Sequence, residues 1–111
     1  MDNIDQYRVI IREIIEEYAQ YKPSIGDIRV ETIFDETKDH YALMHTGWTG
    51  IYRVDGSVIH IDIHGDKVWL EHDGTNADIA DQLVEAGIPR EQIVLGFQPP
   101  DMREYGDFAI A

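Results

Sequence analysis

The chain has 111 residues, no cysteine and a net charge of −13, from nine basic residues against twenty-two acidic ones. That length makes one domain, residues 1–111, able to bury a core without cross-links, and the missing cysteine excludes disulfides, thiolate nucleophiles and Cys-based zinc sites. So negative a surface repels the phosphate backbone that supplies most nucleic-acid affinity, so direct DNA or RNA binding is not expected.

The hydrophobic fraction of 43% is that of a globular protein, which argues against disorder. No apolar run approaches a membrane span, and the N-terminus lacks a charged-then-apolar signal pattern, so a cytoplasmic location is expected. A reducing compartment also fits the absence of cysteine.

From about Asn3 to Tyr21 the pattern is that of an amphipathic helix. Ile4, Tyr7, Ile10, Ile11, Ile14, Ile15, Tyr18 and Tyr21 share one stripe, with Asp5, Arg12, Glu13, Glu16, Glu17 and Gln20 opposite. Val9 is the large apolar residue on the polar side; it reads as a subunit contact or as an isolated exposed valine. Pro23, Ser24 and Gly26 end the helix.

Three strands follow. Arg29 to Phe34 alternates Val30, Thr32 and Phe34 against Arg29, Glu31 and Ile33. A charged turn at Asp35 to Asp39 leads to a second strand, about Tyr41 to Trp48. Gly47-Trp48-Thr49-Gly50 reads as a tight connection to a third strand, about Tyr52 to His64. Its apolar phase slips near Asp55-Gly56, where a β-bulge is preferred over an Asp-Gly hairpin turn. Gly65-Asp66 suits a two-residue hairpin turn. That turn sets Ile63 against Val68 and Ile61 against Leu70 on a core side. On the other side it sets His64 against Lys67, Asp62 against Trp69 and His60 against Glu71. This second side is polar but carries a tryptophan, as a half-covered face would.

Thr75 with Asp78 three residues on is a capping-box pattern opening a second helix, whose buried stripe is Ile79, Ala80, Leu83 and Val84. Gly87 is its left-handed stop, Ile88 supplies the apolar contact of a Schellman motif, and Pro89 prevents continuation. Pro89 to Gln92 forms one further turn, and Ile93 to Phe97 a short apolar strand. Pro99-Pro100 gives an extended, non-helical exit. The ending Phe108-Ala109-Ile110-Ala111 is too apolar to dangle, so Phe108 and Ile110 dock on the core or on a neighbouring subunit.

His60-Ile61-Asp62-Ile63-His64 is the one cluster with chemical potential, since alternation puts both histidines and the aspartate on one face. Four strand residues span roughly 13 Å, so His60 and His64 cannot hold one ion together. A metal site of His60, Asp62 and Glu71 would support a metal-assisted hydrolase; decoration of a solvent or subunit face is the favoured reading. His40 and His45 match no ligand spacing. His72 to Asn76 reads as turn and capping chemistry before a substrate loop. Arg90 and Arg103 suit anion contacts or surface ion pairs. No phosphate-binding loop or serine elbow is present, so no catalytic residue and no cofactor are assigned.

Gly47-Trp48, His60-Ile61-Asp62-Ile63, Lys67-Val68-Trp69 and Leu83-Val84-Glu85-Ala86-Gly87-Ile88-Pro89 together resemble the XisI family. Ile93-Val94-Leu95-Gly96-Phe97, Pro99-Pro100 and the Phe108 to Ala111 ending extend the resemblance over nearly the whole chain. It implies a cyanobacterial-type factor controlling excision of the fdxN element, alongside a large recombinase and an XisH-like protein. It implies no catalytic residue. An XisH-like or other basic DNA-handling protein is the expected partner, with acidity on this side of the contact.

The expected fold is α+β: an antiparallel sheet of about four to six strands packed against the N-terminal helix and a second, shorter helix. The expected function is that of a non-enzymatic accessory factor acting through protein contacts. The alternatives are the metal-assisted hydrolase, or a self-associating module that forms a homo-oligomer through the Val9 face and the tail.

Overall fold

The computed structural model describes residues 3–111. Helix α1 spans Asn3–Ala19 and buries Tyr7, Ile10, Ile11, Ile14 and Ile15. These residues recur at three- and four-residue spacing, which keeps them on one face. Burying five large side chains contributes on the order of 10 kcal/mol before ordering entropy is subtracted. The helix closes earlier than the apolar stripe suggests. Gln20 and Tyr21 donate backbone bonds to Glu17 and Tyr18 in a tightened last turn, and Tyr21 lies exposed beyond it.

Strands β1 (Asp27–Asp35), β2 (His40–Thr49), β3 (Tyr52–His64) and β4 (Lys67–Asp73) form an antiparallel meander. A fifth strand, β5 (Ile93–Leu95), lies parallel to β4, giving the order β1-β2-β3-β4-β5. The sheet is therefore mixed, because a helix intervenes between β4 and β5 and carries the chain back to start in the same direction.

The hairpin turns are tight. Thr49 pairs with Tyr52, so the β2–β3 turn is Gly50-Ile51, and Gly47 to Thr49 belong to the strand instead of the connection. His64 pairs with Lys67 around Gly65-Asp66, as the turn chemistry demands. In the β1–β2 turn, the Asp35 carboxylate accepts from the backbone N–H groups of Thr37 and Lys38. Asp39 closes it with φ of 60°, one of the few conformations an aspartate tolerates on the left-handed side.

Two bulges break the ladders, neither at Asp55-Gly56. Those residues pair regularly with Thr46 and His45. The shift falls between Leu43 and Met44, which face Ile59 and Ser57, so Val58 is the extra residue on β3. The second shift falls between His60 and Ile61, which face His72 and Leu70, so Glu71 is the extra residue on β4. His60 therefore lies opposite His72, not Glu71.

Helix α2 (Ile79–Glu85) starts one turn later than a Thr75 cap would place it. Asp78 is the cap and accepts from the Asp81 N–H. Asp73 also serves the helix start: it accepts from Thr75 and, through its second oxygen, from the Ile79 N–H. The C-terminal end follows the sequence reading. Gly87, at φ of 121°, donates to the Val84 carbonyl and Ile88 donates to that of Leu83, the paired bonds of a Schellman motif. Ile88 is fully buried. Both helices and the inner faces of β2, β3 and β4 share one apolar core that includes Ile11, Tyr41, Ile61, Leu70 and Leu83. Gln82 of α2 donates to the Tyr18 hydroxyl of α1, tying the helices together.

A 3-10 turn (Arg90–Gln92) leads into β5, which ends at Leu95 and leaves Phe97 exposed. Pro99 is extended, but Pro100 opens a second 3-10 turn, Pro100–Tyr105. The diproline exit is thus non-helical for one residue only; a proline's fixed φ suits the first position of a helical turn. The tail returns to its own sheet: Ala109 donates to the Ile93 carbonyl and bridges Val94 in parallel. Among the described residues, no helix is long and apolar enough to cross a membrane.

Candidate functional site

The inner sheet face carries Tyr41, Leu43, Ile59, Ile61 and Ile63 into the core. Alternation therefore sends His40, Ala42, His60, Asp62 and His64 to the outer face. His40 of β2 pairs directly with Asp62 of β3, and Ala42 pairs with His60. Beside His40 in the ladder, Ala42 adds only a methyl group to this face. His40 Nδ1 lies 2.9 Å and His60 Nε2 2.8 Å from the same oxygen, Asp62 Oδ1. Asp62 is the protected member, its side chain 16% exposed, against 55% for His40 and 37% for His60. The Asp62 carboxylate, through its hydrogen bond and its charge, raises the pKa of His40 above the usual histidine value.

The sequence pointed to His60, Asp62, Trp69 and Glu71. The structure joins the first two and replaces Glu71 by His40. As the bulge residue of β4, Glu71 turns away toward β5, where its carboxylate packs against Gly96. It still lines an open groove of about 410 Å³ with Lys38, His40, Asp62, His64 and Trp69. His64 stands apart from the ion-pair cluster, edge-on to Trp69 at 6.2 Å.

His40 had a readable signal that its spacing to His60 does not carry. A two-residue Gly50-Ile51 turn plus one extra residue in β3 sets His40 opposite Asp62 on the same face. Placing the connection at Gly47 to Gly50 hides that pairing.

Trp69 is held by the C-terminal segment. The Arg103 guanidinium lies 5.2 Å from its ring and donates to the carbonyls of Leu95, Gln98, Gly96 and Ile110. Arg103 thus binds backbone oxygens and an aromatic face, and among the described residues it forms no ion pair with a carboxylate. Arg90 lies 4.0 Å from Asp107 and over the Phe108 ring at 5.7 Å. Of the candidate subunit contacts, Phe108 packs against this chain's own core, whereas Val9 and Ile110 are exposed.

Next to the cluster stands a structural node. Asp39 accepts from Arg8 Nε at 2.8 Å, from Arg8 Nη2 at 3.1 Å and from the Tyr41 hydroxyl at 2.8 Å. The Arg8 bonds hold the Asp39 carboxyl below its ordinary pKa. Burial, then the bond to Asp39, pushes the Tyr41 phenol up to about 12. Together they anchor the start of β2 to α1, and His40 sits between them in the chain.

Comparison with known proteins places the chain as a whole. The profile of the XisI protein family matches residues 1–110. The crystal structure of a XisI-like protein from Anabaena variabilis ATCC 29413 superposes with a TM-score of 0.89 at 39% identity, covering 96% of this chain and 97% of that one. The crystal structure of fdxN element excision controlling factor XisI from the same organism superposes at 0.87 and 38% identity, covering 99% and 100%. Curated proteins give no match. With matching sequence, fold and length, the chain belongs to the XisI family.

Proposed function

We propose that this protein is a non-enzymatic controlling factor for excision of a DNA element, and that it acts by binding another protein. The observation that carries this reading is the full-length likeness to the fdxN element excision controlling factor of A. variabilis. The net charge of −13 supports a protein partner over a nucleic-acid one, because a body so acidic is driven from phosphate and toward cationic surfaces. The solvent side of α1 adds a local acidic face, with Asp5, Glu13, Glu16 and Glu17 all exposed. The partner is a basic, DNA-handling protein, of which an XisH-like protein is the first to test.

Co-expression with an XisH-like protein and size-exclusion chromatography test this. A complex that forms at micromolar concentration and weakens with salt supports it; no complex under those conditions sinks it. Tight, salt-sensitive capture of bare duplex DNA by the isolated protein would also sink it. Self-association is the second reading, favoured by the exposure of Val9 and Ile110. A monomer in light scattering removes it without touching the first.

A further inference from the structure

We infer that His40, His60 and Asp62 form a binding site for one divalent transition-metal ion, with zinc the best-matched ion. The inference is independent of the excision reading. One nitrogen from each histidine and one Asp62 oxygen all lie within 4.8 Å of one another. Zinc bonds such atoms at about 2.0–2.1 Å, which puts tetrahedral ligand atoms roughly 3.3 Å apart. The separations of 2.9 and 2.8 Å from Asp62 Oδ1 are already near that value. Small side-chain rotations about the shared oxygen therefore admit the ion without moving a strand.

Three features favour an ion over a set of surface hydrogen bonds. The three side chains rise from two hydrogen-bonded strands, so the backbone holds their spacing before any ligand arrives. Ala42, opposite His60, puts only a methyl group on this face beside His40. Two imidazoles with one carboxylate select zinc, nickel, copper or iron over magnesium and calcium, which prefer all-oxygen shells. Three protein ligands leave a coordination position open to the groove, to be completed by water or by a donor atom from another molecule. Glu71, turned away by the β4 bulge, is not part of the set.

Untagged, chelator-treated protein titrated with zinc chloride in a calorimeter at neutral pH tests the site. One equivalent is expected to bind with a micromolar or tighter Kd. His60→Gln and Asp62→Asn are each expected to weaken binding at least tenfold, with the melting temperature of the metal-free protein recorded as a control. His40→Gln, the most exposed change, keeps the test decisive if either of the others fails to fold. Cobalt loading gives a second readout, a visible ligand-field band in the parent protein that His40→Gln loses. Zinc binding that survives His40→Gln undiminished overturns the inference. So does an equal response to magnesium, which would mark a merely acidic surface, and so does no binding at millimolar zinc.

Discussion

Tyr41→Phe isolates one hydroxyl at the node that sets β2 against α1. The Tyr41 side chain is wholly buried, and its ring packs against Phe34 with centroids 5.9 Å apart. Phenylalanine keeps that packing and removes only the bond to Asp39 Oδ1. A hydrogen bond to a charged acceptor contributes about 1.5–3 kcal/mol. The lower end applies here, because Asp39 keeps both bonds from Arg8 after the change. An unfolding entropy of ~2.1 cal/mol/K per residue gives ~0.23 kcal/mol/K for a chain of 111 residues. A loss of ~1.5 kcal/mol then lowers Tm by roughly 6–7 °C. Thermal melts followed by far-ultraviolet circular dichroism measure it.

The same pair of proteins carries a pH test. The unfolded chain gives up a tyrosine proton near pH 10, whereas folded Tyr41 holds its proton to about 12. Between those values unfolding releases a proton, so rising pH favours the unfolded chain. Tyr41→Phe has no such proton to lose. The stability gap between parent and variant is therefore constant from about pH 5 to 10, where Asp39 is ionised, and narrows from there toward 12. A gap that widens with pH, or a Tm difference at neutral pH below about 2 °C, refutes the placement of this hydroxyl in a dry, Asp39-bonded position.

Gly47→Ala is expected to destabilise by more than ~3 kcal/mol in urea unfolding, because its Cβ would drive into the Asp27 carbonyl at a φ of 155°. Asp39→Asn tests the acid side: the lowered Asp39 pKa makes its stabilisation complete above about pH 4 and lost as pH falls through the folded value, so parent and variant converge in acid melts. Arg103→Ala is expected to release the segment beyond Leu95, read as faster proteolysis there and as a shift in Trp69 emission in a Trp48→Phe background.

Signals confined to one turn of chain were legible. The three- and four-residue spacing of Tyr7, Ile11 and Ile15 placed the helix, and Gly65-Asp66 fixed the β3–β4 register from a turn type alone. Gly87-Ile88-Pro89 foretold a helix stop whose every bond is present. The same locality explains the errors. Thr75 satisfies a capping pattern, but Asp73 and Asp78 compete for the same orphan N–H groups, and spacing does not rank three capping residues within six positions. Pro100 permits an extended exit and a helical start equally; the turn it opens precedes a tail that returns to β5 through Ala109, a nonlocal contact that local spacing does not carry.

The site was half legible for a reason of parity. A strand carries alternate residues to opposite faces, so one extra residue moves everything beyond it to the other face relative to its neighbour. Without Val58 as a bulge, the Thr49–Tyr52 hairpin would run on in register and set His40 opposite core residue Ile61 instead of Asp62. The β4 bulge acts in the opposite sense, removing Glu71 from the position across from His60 and bringing His72 there. Each bulge costs ladder hydrogen bonds, and the apolar alternation alone shows that a slip occurs without saying on which residue. Which polar side chains meet on the outer face is therefore set by two single-residue irregularities. They leave Asp62 between two histidines from adjacent strands, an arrangement that a count along His60 to His64 does not contain.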